Sequence, residues 1–215
     1  MALMLFTGAL TWAQDPVKVA AGQYKLIAEN EDVRLLEGNV PPGSKTVMHS
    51  HPALMAVILE PGITMWTMPD GKKQQSAPGT KRGTVIAMPP QSHVSESIDK
   101  KPVKVILIEF KKPAPAAAKA RKAPSLANCK VVAESPHATA QLCTGGPGSI
   151  TAKHTHTSTE VLVALTDLTA DSTDGAGKVT KLEVKKDSAA IAAPQTHTAK
   201  NTGKAGYELI VVDLK

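Results

Sequence analysis

The sequence predicts an all-β protein built as two tandem β-barrels, and three observations predict it. First, a histidine pattern occurs twice: Gly43-x5-His49-x-His51 with Pro90, Gln91, Ser92 and His93, then Gly148-x5-His154-x-His156-x3-Glu160 with Pro194, Gln195, Thr196 and His197. Second, the copies align beyond the histidines. Tyr24 to Glu29 matches Cys129 to Glu134 at an offset of 105, and Ile108 to Lys111 matches Val212 to Lys215 at 104. Third, short runs rich in β-formers and bounded by Gly, Pro or Asp recur along both halves, whereas no long segment has helical periodicity. A fixed repeat of this length makes each copy one structural unit.

The elements follow in order. Val33 to Leu36, Ala56 to Leu59, Val103 to Phe110 and Tyr207 to Asp213 read as strands. Pro69-Asp70-Gly71 and Asp174 to Gly177 read as hairpin turns. Aromatic residues make up only 3% of the chain, so the cores must be built from Val, Ile, Leu, Ala and Met. The division is residues 1–13, an apolar leader; 14–111, barrel 1; 112–126, a Pro/Ala/Lys linker without a packing face; and 127–215, barrel 2.

The charge belongs to the linker region. The chain carries a net charge of +6, and five of those six excess charges lie between Lys111 and Leu126. Neither barrel is basic, and neither offers the basic face with stacking aromatics that nucleic-acid binding requires. Residues 1–13 are apolar and uncharged and resemble the hydrophobic region of a secretory signal, with a cleavage site after Ala13. They are too short to span a bilayer, so stable membrane insertion is not expected. The segment lacks a basic start, which leaves an ordinary buried strand as the other reading. Cys129 and Cys143 sit on two strands of one hairpin turning at Ser135, Pro136 and His137, directly opposite one another, within reach of a disulfide. That pairing points to a periplasmic or secreted protein. His137, in the turn, reads as solvent-exposed.

Strand geometry makes the histidines a candidate metal site. Alternation sends His154 and His156 to one face and Lys153 and Thr155 to the other. Glu160 keeps their parity at the start of the next strand, and His197 closes the set from a distant one. Three neutral nitrogens and one carboxylate suit a single divalent transition metal, Mn, Fe, Zn, Ni or Cu.

These motifs resemble those of the cupin family, G-x5-H-x-H-x3,4-E-x6-G and G-x5-P-x-G-x2-H. The resemblance covers residues 24 to 111 and 127 to 215 and implies a bicupin, two antiparallel jelly-roll barrels. In barrel 2 all four ligand positions match: His154, His156, Glu160 and His197. Asp167 and Asp187 stand where the motifs expect glycine, at turns that tolerate aspartate. In barrel 1 the spacing puts Met55 at the glutamate position, leaving His49, His51 and His93 as a degenerate second site, or a metal-free barrel that Met55 packs.

The same parity turns Ala152, Leu162 and Ala164 toward the barrel 2 cavity and predicts a small apolar space. Residues 127–215 contain no arginine and one aromatic, Tyr207, which excludes an arginine clamp from this barrel. Arg34 and Arg82 could act there only across a domain interface. The expected partner is a small molecule, bound by a monomeric bicupin or a homodimer. Two function classes fit. One is a metalloenzyme of dioxygenase, isomerase or decarboxylase type acting on a small oxygenated substrate in barrel 2. The other is a non-catalytic periplasmic metal-binding or small-ligand-binding module.

Overall fold

A computed structural model describes residues 14–116 and 121–215; the leader-like residues 1–13 and residues 117–120 of the linker lie outside the described residues. A four-residue helix, α1 (Pro16–Val19), precedes the first barrel, with Asp15 as its N-cap and Pro16 in its first turn.

Barrel 1 contains β1 (Tyr24–Glu29), β2 (Val33–Val40), β3 (His49–His51), β4 (Leu54–Glu60), β5 (Thr64–Thr67), β6 (Lys73–Gln75), β7 (Val85–Met88), β8 (Gln91–Ser97) and β9 (Val103–Phe110). Barrel 2 repeats the series as β10 (Cys129–Glu134), β11 (Ala138–Gly145), β12 (Ile150–His156), β13 (Glu160–Ala164), β14 (Leu168–Asp174), β15 (Val179–Val184), β16 (Ala189–Ala192), β17 (Gln195–Asn201) and β18 (Tyr207–Leu214). Each barrel has a five-stranded and a four-stranded antiparallel sheet. Their orders are β1-β2-β9-β4-β7 and β3-β8-β5-β6, then β10-β11-β18-β13-β16 and β12-β17-β14-β15. The topology is therefore the same in both copies, as the sequence repeat requires.

The larger sheets are buried on both faces, which is why β4 and β9 read as continuous apolar runs rather than alternating ones. One face of each lines its own barrel. The other face joins a single core between the barrels, where Leu35, Val57, Ile106 and Ile108 meet Ala140, Val161, Val163, Ile210 and Val212. Burying each branched side chain of this kind contributes about 1.5 to 3 kcal/mol. Polar groups lock the same interface. The Arg82 guanidinium donates to the Leu59 carbonyl at 2.7 Å, to the Leu165 carbonyl at 2.8 Å and to the Asp187 carboxylate. Asp187 adopts φ 67, where its counterpart Gly83 adopts φ 80, so the second copy spends a left-handed turn on an ion pair between barrels.

The strand register overturns the equivalence of Met55 with Glu160. Glu160 pairs with Asp213 and Ala192. The residue that pairs with Glu109 and Met88 in barrel 1 is Leu54. Two residues, Pro52 and Ala53, join His51 to β4, whereas three join His156 to β13. A one-residue slip exchanges the faces of a strand, so Met55 is fully buried in the inter-barrel core and points away from the histidines. Ala152 is also misplaced by simple alternation. An irregularity between Thr151 and His154 shifts the β12 register, so Thr151 lines the cavity while Ala152 is exposed. His137 is partly buried, stacked on Phe110 of the other barrel with ring centroids 4.8 Å apart.

Candidate functional site

Adjacent strands of the smaller barrel 2 sheet bring three histidines together. β12 supplies His154 and His156, and β17 supplies His197, which pairs directly with His154. His154 Nε2 lies 2.9 Å from His156 Nε2 and 2.9 Å from His197 Nε2. The other ring nitrogens are engaged behind. His154 Nδ1 donates to the Ala152 carbonyl at 2.7 Å, His156 Nδ1 donates to Asp213 Oδ1 at 2.6 Å, and His197 Nδ1 pairs with Ser172 Oγ at 3.1 Å. A carbonyl or carboxylate can only accept, so it fixes the tautomer with the Nε2 lone pair free. The Ser172 hydroxyl can donate or accept and fixes no tautomer of His197, but three Nε2 atoms facing one another are the donor set a divalent transition ion takes once it displaces their protons, and the outer partners are of the kind that orient ligating histidines. The residues fit a metal.

Glu160 is buried beside this cluster without joining its Nε2 atoms. Its Oε2 lies 2.9 Å from His156 Nδ1, and its Oε1 accepts from Gln195 Nε2 at 3.0 Å. Burial pushes the His156 imidazole down, but the hydrogen bonds to Asp213 and Glu160 and their charges outweigh it and hold its pKa at about 9. Burial would raise the Glu160 carboxyl, and the His156 and Gln195 contacts more than offset it, leaving it below the ordinary value. Burial and the neighbouring His154 lower the His197 imidazole.

Barrel 1 repeats the arrangement with different surroundings. His49, His51 and His93 come together on β3 and β8, where His49 pairs with His93, and all three are buried. His49 Nδ1 donates to the Val47 carbonyl at 2.9 Å, and His51 Nδ1 meets Glu109 Oε1 at 2.6 Å. Glu109 is in turn held by Arg34 Nε at 2.8 Å, and Arg34 also pairs with Asp15. Arg34 and Arg82 are thus both engaged outside the barrel 2 cavity. His49 Nε2 and His93 Nδ1 are buried without a partner. Burial depresses the His49 imidazole to about 4 and that of His93 to about 3, so both are neutral at physiological pH. This triad also fits a cation, but its carboxylate position is Leu54.

The sequence reading named seven histidine and glutamate positions and missed Glu109 and Asp213, the carboxylates that fix the second histidine of each pair. Their signal was present in the matched segments Ile108 to Lys111 and Val212 to Lys215, each with an acid at the same place between two apolar residues. The cavity was also misjudged. It is lined mainly by apolar groups, but it occupies about 500 Å³, against about 90 Å³ in barrel 1. Ala152 is turned outward, and Ala190 and Ala192 leave the β16 wall open. Cys129 and Cys143 face one another in the register and form a disulfide on that cavity's wall.

No protein-family profile and no curated protein matches the chain. Solved structures do. A cupin 2 conserved barrel domain protein from Leptotrichia buccalis is 12% identical with a TM-score of 0.56, over 89% of this chain and 88% of that one. AerE from Microcystis aeruginosa is 13% identical with a TM-score of 0.61, over 90% and 97%. The oxalate decarboxylase of Bacillus subtilis, a protein with Mn(II) centres, is 11% identical with a TM-score of 0.61, over 89% and 75%. Identities this low speak to architecture alone, and the architecture is clear: the chain has the fold of a bicupin, two tandem antiparallel barrels.

Proposed function

We propose that barrel 2 is a metal-dependent small-molecule site in which His154, His156 and His197 hold one divalent first-row transition ion, Mn, Fe, Zn, Ni or Cu. The observation that carries this is the convergence of three Nε2 atoms whose partner nitrogens are already engaged. Bound there, the ion supplies Lewis acidity toward an oxygen donor. Glu160 contributes a second negative charge beside the triad, at the position that Leu54 holds in barrel 1. Asp213 holds the His156 ring, and the apolar wall excludes water from one side of the site.

The reading as a metalloenzyme of dioxygenase, isomerase or decarboxylase type rests on Glu160 as the acid-base group. A second reading, a periplasmic metal-binding or ligand-binding module without turnover, is favoured by one observation: both carboxylates near the triad, Glu160 and Asp213, are tied to His156. Export rests on the Cys129–Cys143 disulfide; no helix among the described residues is long and apolar enough to cross a membrane. Screening the metal-loaded chain against small carboxylic acids, oxalate included, and polyphenols separates the readings. Oxygen consumption or a product mass change supports the enzyme, and ligand binding without either supports the module.

A further inference from the structure

The interiors of the two barrels differ in one direction. Register identifies equivalent positions: Tyr24 faces Gly38 where Cys129 faces Cys143. Ile86 and Met88 pair with Ala56 and Leu54 where Ala190 and Ala192 pair with Leu162 and Glu160. Trp66 pairs with Ser95 where Ser172 pairs with Ala199. Four bulky side chains of barrel 1 are therefore Cys, Ala, Ala and Ser in barrel 2. In barrel 1 they fill the space beside the histidines, with the Tyr24 ring 5.0 Å from His49 and Trp66 6.2 Å from His93. The opposite exchanges, Gly38 for Cys143 and Ala56 for Leu162, return only part of that volume. The cavity grows from about 90 to about 500 Å³, within the range of small-molecule sites.

The enlarged wall is mainly apolar in effect, because its larger polar side chains, apart from the exposed Lys178, are bonded to protein. Gln141 Nε2 donates to the Pro124 carbonyl at 3.1 Å, and Asn201 Nδ2 donates to the Gly146 and Ala205 carbonyls at 3.0 and 2.9 Å. Asn128 Nδ2 bonds the Tyr207 hydroxyl at 3.1 Å. What remains for a ligand is mostly carbon and sulfur surface, from Leu162, Leu182, Leu209, Val211 and the disulfide, with the histidine triad as its cluster of nitrogen donors and Lys178 as an exposed cation on the lining.

We propose that barrel 2 binds an amphipathic small molecule, an apolar body carrying one oxygen-donor head group. The head meets the His154, His156 and His197 cluster, and the body lies against the disulfide wall. Placing the head rests on the proposed ion site; placing the body does not. Ala190 and Ala192 are the specificity-determining positions, since their barrel 1 counterparts close the same space.

The test is calorimetric titration of the metal-loaded chain with straight-chain carboxylates from acetate to decanoate, with the matching 1-alkanols as a head-independent arm. Elemental analysis accompanies each sample. Each added methylene should tighten carboxylate binding about fourfold, as expected for a buried methylene. Ala190→Ile/Ala192→Met should keep its metal, lose the gain beyond about four carbons, and bind octanoate at least about tenfold more weakly. Ala190→Ile alone should shift the series in the same direction and serves if the double variant fails to fold. Metal-loaded wild type that binds octanoate no better than acetate overturns the inference and leaves the ion site standing. Length-dependent alkanol binding in protein that takes up no metal supports the apolar seat and overturns the ion site instead.

Discussion

Leu54 and Glu160 occupy the same place in the two barrels, each paired across the sheet with the acid of the last strand, Glu109 or Asp213. Exchanging them tests which half is built for an ion. Leu54→Glu should strengthen metal binding in barrel 1, read as a rise toward two ions per chain in equilibrium dialysis. Met55→Glu, one residue on, should add no site and should lower stability by about 3 to 5 kcal/mol, because it places an unpaired charge in the inter-barrel core. A second ion taken up by folded Met55→Glu protein would contradict the register.

Asp213→Asn keeps the shape of the side chain and removes the charge that fixes His156. Removing such a partner costs about 10- to 100-fold in metal affinity, and chelator competition should show that loss without a change in fold. Unchanged affinity would mean that Asp213 is only a packing group.

The disulfide closes a loop with a sequence separation of 14. Denatured, unreduced protein should contain no free thiol, and Cys129→Ala/Cys143→Ala should unfold with a loss of about 3 kcal/mol in the chain-entropy description. Two titratable thiols in protein recovered from an oxidising compartment would refute the pairing.

Asp32 gives a pH signature of the contact between halves. Its carboxylate accepts from Lys112 Nζ at 2.6 Å and from Thr159 Oγ1 of barrel 2 at 2.6 Å, and these contacts, the lysine foremost, hold its pKa below the ordinary value. A depressed carboxyl stabilises the fold above its unfolded pKa of about 3.9, and that stability is lost as pH falls through the folded value. Asp32→Asn should therefore melt below wild type at about pH 7 and about pH 5, with the gap closing as pH falls through the depressed folded value. A gap that persists in acid would make the effect steric.

The histidines, the cysteine pairing and the tandem topology were legible because each depends on local alternation or on the repeat. What failed to be legible was register across loops. Pro52 and Ala53 make a connection one residue shorter than the one preceding Glu160, and sequence spacing alone assigned Met55 to a place that Leu54 holds. The β12 irregularity misplaced Ala152 for the same reason. Cavity size was hidden because it depends on cross-strand neighbours such as Ala190 and Ala192, whose facing is set only once the sheet is paired.

The most direct test of the account is elemental analysis of wild type, His154→Ala and His49→Ala proteins, each equilibrated with one equivalent of a divalent transition metal. The account predicts close to one ion per chain in wild type, most of it lost in His154→Ala and little lost in His49→Ala. Loss in His49→Ala with retention in His154→Ala would place the ion in barrel 1 and contradict it.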